Sequence, residues 1–265
     1  MQNQKIHFAH ANGFPARTYS KLFSFLEDEF DIAYIEKLAH NPRFPVTNNW
    51  NNLSDELIED IEKKFTTPII GLGHSLGGVL HLIAAAKRNE LYTAIVLLDA
   101  MIISPFSSFF IKTLKSTKLM SHVSPSRITR FRRTHWRDFD DVFAHFSAKE
   151  SFARFDPDVL RDYVRYGTVE QVNGTRRLLF EPAIEAKIYE TIPDHLPRLK
   201  GRLNLPIAFI EGTESNESKL ARVKFMKKKF PFDFTSTNGT HLFPFEHPKA
   251  TAFEIKGALR RILPD

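Results

Sequence analysis

The chain has 265 residues, of which 42% are hydrophobic and 26% are charged, as in an ordinary globular protein. It contains no cysteine, which excludes disulfide bonds and thiolate catalysis and is compatible with the cytoplasmic location that we expect. The first residues lack the long apolar core of a signal peptide, and no apolar run approaches the ~18 residues that a membrane span needs. A net charge of +6 makes an anionic partner one hypothesis to weigh.

The first hundred residues alternate between short apolar runs and segments whose apolar residues have helical spacing. Strands are predicted at residues 6–10, at 31–36, in the run that begins at Pro68 and at 93–99, and helices at 19–30, 53–65 and 79–87. Such alternation favours a parallel sheet, because parallel strands need helical crossovers.

The alternation stops at residues 102–200, where we find helical segments, loops and several prolines but no strong strand pattern. It resumes afterwards with a strand at 205–210, a helix at 218–230, a strand at 232–237 and a closing helix at 248–262. The sequence therefore predicts an α/β fold with a mostly parallel sheet and helices on both faces. Residues 1–101 and 201–265 would form its core, and 102–200 a helical cap inserted between two strands.

The pattern Gly73-His74-Ser75-Leu76-Gly77 is the most informative motif in the chain. It is preceded by an apolar run typical of a buried strand and followed by an Ala- and Leu-rich run typical of a helix. A strand that turns directly into a helix holds Ser75 at a strained corner and directs the helix N-terminus at its hydroxyl. Ser75 is therefore the predicted nucleophile.

A serine nucleophile needs a base and donors for the developing oxyanion. His241 lies in Asn-Gly-Thr-His, directly after the last predicted strand, from which a loop can reach Ser75. The loop after the first strand, Asn12-Gly13-Phe14-Pro15, offers the Phe14 N–H, and Leu76 offers a second N–H next to the nucleophile. Asn12 would add an amide donor or shape the turn.

These motifs, in this order, resemble those of a capped α/β-hydrolase, and the likeness covers nearly the whole chain. It is specific at Gly-His-Ser-Leu-Gly-Gly and at the terminal Gly-Thr-His, and vague over residues 102–200. A serine at the nucleophile position is similar to esterases, lipases and thioesterases of that superfamily. An aspartate there would instead imply dehalogenases or epoxide hydrolases.

The chain departs from the family pattern at the triad acid. The family usually places an aspartate in Gly-x-x-Asp after the penultimate strand, and Ser215 occupies that position here. Asp99, at the end of the strand that follows the elbow helix, is our preferred acid, with Ser215 assisting as in some family members. Glu214 and Glu217 remain alternatives.

The segment 102–200 resembles the family's lid, and its many phenylalanines would give a cleft apolar walls or form the lid's own core. It also carries most of the net charge, including Arg130-Phe-Arg-Arg. A solvated basic helix face is the commoner meaning of such a run, so we expect no nucleic-acid partner. His7 and His10 are three apart on a strand and point to opposite faces, so no metal site is predicted.

Together these features predict a serine hydrolase that cleaves a small carboxylic ester with an apolar acyl group through an acyl-enzyme. Ser75 would attack, His241 would carry the proton and Asp99 would orient His241, with no cofactor. Thioester hydrolysis or acyl transfer by the same groups is the nearest alternative. A non-catalytic ligand-binding protein of this fold is another alternative, against which the intact Ser75 and His241 argue.

Overall fold

The structure is a computed structural model that describes residues 4–117, 119–220 and 223–263. Within those ranges the strands are β1 (Gln4–Ala9), β2 (Phe30–Tyr34), β3 (Ile69–His74), β4 (Tyr92–Leu98), β5 (His135–Trp136), β6 (Thr168–Glu170), β7 (Arg176–Leu178), β8 (Ile207–Gly212) and β9 (Asp233–Thr237). Six of them form one sheet in the order β2-β1-β3-β4-β8-β9, and each neighbouring pair is parallel. The predicted parallel α/β sheet is confirmed.

Helices cover this sheet and join its strands. Those in the described ranges are α1 (Ser20–Ser24), α2 (Asn51–Lys64), α3 (Leu76–Lys87), α4 (Pro105–Ser116), α5 (Met120–Val123), α6 (Ser126–Arg130), α7 (Phe139–Ser147), α8 (Glu150–Ala153), α9 (Pro157–Tyr166), α10 (Pro182–Glu190), α11 (Asn216–Leu220), α12 (Val223–Lys229), α13 (Phe243–Glu246) and α14 (Pro248–Ile262). Short 3-10 turns lie at Ala16–Tyr19, Asn48–Trp50, Asn89–Leu91 and Leu196–Gly201. None of the described helices is long and apolar enough to cross a membrane.

Two hydrophobic clusters lie on opposite faces of the sheet, because successive residues of a strand point to opposite sides. In β4, Val96 and Leu98 belong to one cluster, whereas Ile95 and Leu97 belong to the other. The first cluster includes residues of α1, α14 and the aromatic side chains of the insertion, and the second includes residues of α2 and α3. Burial on both faces explains why these strands are continuously apolar in sequence.

The chain between β4 and β8 holds helices α4–α10 and a second, antiparallel sheet in the order β5-β7-β6. The insertion that was predicted as a helical cap therefore also contains a small sheet. Its strands have two or three residues each, too few for an alternating pattern to appear in the sequence. The division into a core (1–101, 201–265) and a cap (102–200) stays a prediction.

Two predicted helices are shorter than expected. The helix predicted at 19–30 ends at Ser24, and turns lead from there into β2, because Phe30 is buried as the first residue of that strand. The helix predicted at 218–230 is found as α11 and α12, and residues 221–222 between them lie outside the described ranges. The closing helix begins at Pro248, as expected from the suitability of proline for a first turn.

Candidate active site

Ser75 forms the sharp corner between β3 and α3. Its backbone has φ 53° and ψ −114°, outside the regions that residues other than glycine normally adopt. Glycines allow this crowding, because a Cβ on Gly77 would lie 2.0 Å from the carbonyl oxygen of Ala9. The Ser75 amide donates to the Leu98 carbonyl over 3.0 Å, which ties the corner to the neighbouring strand. The surrounding sheet therefore maintains a strained, half-buried serine.

Leu76 is the first residue of α3, so its N–H has no carbonyl four residues earlier within the helix. The helix N-terminus also carries partial positive charge. The Leu76 N–H is therefore a donor without an intrahelical acceptor, next to Ser75.

Asp99 follows β4 directly and is buried, with φ 46°. Its Oδ2 accepts a hydrogen bond from Nδ1 of His241 over 2.7 Å and one from the Ser215 hydroxyl over 2.5 Å. The Ser218 hydroxyl donates to Oδ1. The structure thus brings Asp99, His241 and Ser215 together. Ser218 joins them, although no sequence motif pointed to it.

The contacts of this pair set the protonation of both groups. Burial alone would lower the pKa of His241, but the hydrogen bond to Asp99 and that residue's charge outweigh it, so the pKa is raised. Burial alone would raise the pKa of Asp99, but the hydrogen bond and charge of His241 and the two serine hydroxyls lower it overall. Asp99 is therefore held as a carboxylate that favours a protonated His241.

The two alternative acids lie differently. The Glu214 side chain is 54% exposed and pairs with Arg154 over 2.9 Å. Glu217 lies nearer, with Oε2 3.4 Å from the Ser215 hydroxyl. Ligand atoms of Asp99, Glu217 and His241 lie within 4.8 Å of one another and could together hold a cation. If Nδ1 of His241 were the ligand atom, it would have to give up its bond to Asp99.

A chain of hydrogen bonds runs from the loop after β1 through Tyr19 and His74 to the loop of His241. The Ala11 N–H donates to the Tyr19 hydroxyl over 3.1 Å, and that hydroxyl lies 2.7 Å from Nδ1 of His74. Nε2 of His74 lies 2.8 Å from the His241 carbonyl oxygen, which can only accept, so Nε2 carries the proton and Nδ1 accepts from Tyr19. Burial lowers the pKa of His74 to about 3, so its neutral form is kept.

Glu246 fixes the same loop from the other side. Its carboxylate accepts the Thr240 N–H over 2.9 Å and the Thr240 hydroxyl over 2.6 Å, one residue before His241. Arg154 lies 3.4 Å from Glu246 and also bonds Glu214, so a residue of the insertion contacts both the turn after β8 and helix α13, whose Glu246 holds the His241 loop. None of these supports was predicted, because sequence spacing does not show which distant residues meet.

The loop after β1 only partly matches its predicted role. The Phe14 N–H, the expected oxyanion donor, donates to the Ala11 carbonyl over 3.2 Å and closes a turn. It could serve an oxyanion only as a shared donor. The Asn12 side-chain amide donates to the Glu185 carbonyl over 3.1 Å, so it binds the insertion and shapes the loop.

The phenylalanines of the insertion include a buried set and an exposed set. Phe152 and Phe155 are buried, and their ring centroids lie 6.0 and 6.2 Å from that of Phe14. In contrast, Phe106 and Phe109 on α4 are 78% and 71% exposed. Only the first group therefore packs against the predicted oxyanion loop.

The alpha/beta hydrolase family model matches residues 8–254. No curated protein sequence matches significantly. The fold is similar to that of E-2-(acetamidomethylene)succinate hydrolase, with a TM-score of 0.77 and 19% identity over 97% of this chain and 91% of that chain. It is also similar to a thioesterase domain from the curacin biosynthetic pathway (0.74, 11% identity, 96% and 92% covered) and to an esterase of M. tuberculosis (0.68, 16%, 98% and 86%). At such identities the structures show the fold alone, whereas the family model spans most of the chain: the protein belongs to the alpha/beta hydrolase family.

Proposed function

We propose that the protein is a serine hydrolase that cleaves a carboxylic ester through an acyl-enzyme, with Ser75, His241 and Asp99 as its triad. The observation that carries this proposal is the hydrogen bond of 2.7 Å between buried Asp99 and His241, beside a strained serine corner. The bond of His74 to the His241 carbonyl supports it further, because it ties the histidine loop to the residue before Ser75.

The proposed mechanism follows from the tautomer of His241. Because Nδ1–H donates to Asp99, Nε2 is left bare and accepts the proton of Ser75 as its Oγ attacks the ester carbonyl. Asp99 stabilises the imidazolium, which then protonates the leaving alcohol. Water, activated by the same Nε2, hydrolyses the acyl-enzyme and regenerates Ser75.

The oxyanion is assigned to the Leu76 N–H at the start of α3, with the Phe14 N–H as a shared second donor. The insertion 102–200 acts as the lid of this site in the proposal, because Arg154 and Asn12 connect it to the loops that carry His241 and Phe14. A small ester is the proposed substrate, and a cytoplasmic location stays a prediction.

Covalent labelling and turnover test the assignment together. A fluorophosphonate probe should label the wild-type protein at Ser75, and Ser75→Ala should lose labelling and about 10⁴- to 10⁶-fold of kcat on 4-nitrophenyl esters. Ser24→Ala, at an exposed serine on α1, is the matched control and should keep both. Labelling at another serine, or a Ser75→Ala variant with wild-type kcat, would contradict the proposal.

A further inference from the structure

Glu185 of the insertion lies directly against the loop that follows β1. A Cβ added to Gly13 would be 2.3 Å from Oε1 of Glu185, and Gly13 has φ +82°, so only glycine fits this position. The Glu185 carbonyl also accepts the side-chain amide of Asn12 over 3.1 Å. Helix α10 therefore brings a carboxylate to the loop that we assign to oxyanion binding.

Arg132 pairs with this carboxylate beside the loop. Its Nη2 is 2.6 Å from Oε2 of Glu185, and its Nη1 lies 3.9 Å from where a Gly13 Cβ would be. The Nη2 and Oε2 atoms are close but not aligned as a hydrogen bond, and Nε of Arg132 is buried without an acceptor within the described residues. Buried donors of this kind normally have an acceptor, so the Nε–H of Arg132 remains available to an acceptor that a ligand would bring.

The charges of the cluster favour an anion. The Glu185 side chain is 2% exposed, and burial raises its pKa to about 7 against the opposing charges of Arg132 and Lys37. Arg132 and Lys37 thus act on a single carboxylate, that of Glu185, which is readily protonated, so positive charge is in excess here. In such a buried setting the fixed fork of a guanidinium is best complemented by a carboxylate, which can accept two N–H groups.

We propose that Arg132 forms a subsite for a carboxylate carried by the substrate, held in position by Glu185 beside the Gly13 loop. This subsite rests on the proposed ester hydrolysis and narrows it: the substrate is an ester with a free acid group near the reacting carbonyl. Arg132 is the binding residue, and Glu185 is a positioning residue that acts through it. An ion pair that only docks the insertion onto the core is the competing explanation.

Two esters of similar shape, one with a free acid group and one neutral, distinguish these explanations. The kcat/KM values of 4-nitrophenyl hydrogen succinate and of its neutral methyl ester are measured on wild type and on Arg132→Gln. We expect wild type to prefer the acid, and the ratio of the two kcat/KM values to fall about 10- to 100-fold in Arg132→Gln, the usual loss for a charge-assisted bond. Arg133→Gln, whose side chain is 44% exposed and bonds Asp141, is the matched control and should keep the wild-type ratio.

A binding experiment tests the subsite independently of the proposed hydrolysis. Monomethyl succinate is titrated calorimetrically into Ser75→Ala and into Ser75→Ala with Arg132→Gln, with thermal unfolding as a folding check. Binding that is lost with Arg132 supports the subsite even if no ester is cleaved. Ser75-dependent cleavage without charge discrimination, or an equal loss on both esters, overturns the subsite and leaves the hydrolase proposal standing. Absence of binding together with absence of cleavage overturns both.

Discussion

Asp99 and Ser215 lie at the ends of two strands, and the family pattern usually places its aspartate at the position that Ser215 occupies here. A serine stands where an aspartate is usual, and its hydroxyl donates over 2.5 Å to a carboxylate that comes from the previous strand of the sheet. The two strand ends adjoin because β4 pairs with β8 in parallel. The carboxylate can therefore come from either strand and still meet His241.

Substitution of the acid tests this assignment. Asp99→Asn keeps the shape but removes the charge and can select the wrong tautomer of His241, so we expect kcat to fall by up to about 10⁴-fold. Glu214→Gln should cost little, because the Glu214 side chain is 54% exposed and pairs with Arg154. The loss of kcat in Ser215→Ala should lie between the losses in these two variants. The measurement is kcat on one ester, with circular dichroism to check folding.

Glu217→Gln is the decisive comparison, since this carboxylate is near enough to act on the pKa of His241. A loss of kcat in Glu217→Gln or Glu214→Gln that exceeds the loss in Asp99→Asn would move the acid to the loop after β8.

The pH dependence of activity follows from the raised pKa of His241. The base must be neutral to accept the Ser75 proton, so activity falls as pH decreases through that pKa. The acid limb of kcat/KM should therefore have its midpoint above the ordinary histidine value of about 6.5. In Asp99→Asn the hydrogen bond to a charged group is lost, and the midpoint of the residual activity should move to lower pH. An unchanged midpoint in this variant would show that the acid limb does not report the His241–Asp99 pair.

At the scale of elements, the sheet could be predicted from the sequence and the supports of the site could not. Buried parallel strands are continuously apolar, so β3 and β4 were recognisable, and the chain order then placed Ser75, Asp99 and His241 at the same edge. Tyr19 and His74 were not recognisable, because their contacts join segments 55 residues apart. The small sheet of the insertion was missed because its strands are too short to show a period.

The hydrogen-bond chain through Tyr19 makes a prediction at this scale. Tyr19→Phe would leave the Ala11 N–H and Nδ1 of His74 buried without their partner, which should lower the free energy of unfolding by about 1–3 kcal/mol. Because His74 holds the His241 carbonyl, kcat should also fall, by up to about 10²-fold for a base displaced by an ångström. Urea unfolding and kcat are the two measurements.

Tyr34→Phe, on the half-buried edge strand β2, serves as the control and should leave kcat unchanged. A Tyr19→Phe variant that loses stability while keeping the full wild-type kcat would show that the chain is only structural.

Over the whole molecule, the insertion buries one set of aromatic side chains and exposes another. Phe152 packs with Phe146, Phe155 and Tyr163 in the cluster that continues into the sheet face. Helix α4 instead presents Phe106, Phe109 and Phe110 to solvent. The apolar cleft walls stay a prediction, for which only the buried set is placed next to Phe14.

Paired substitutions distinguish the two sets. Phe152→Ala removes a side chain that is 9% exposed and should lower the free energy of unfolding by about 3–5 kcal/mol. Phe106→Ser combined with Phe109→Ser removes rings that already contact water, so each should change that free energy by about 0.5 kcal/mol or less, and solubility should improve. Because α4 contributes no ring to the cluster around Phe14, the double variant should also keep the wild-type order of kcat/KM along esters from acetate to octanoate. A reordered chain-length preference, or a destabilisation above about 1 kcal/mol per ring, would mean that α4 covers the site in solution.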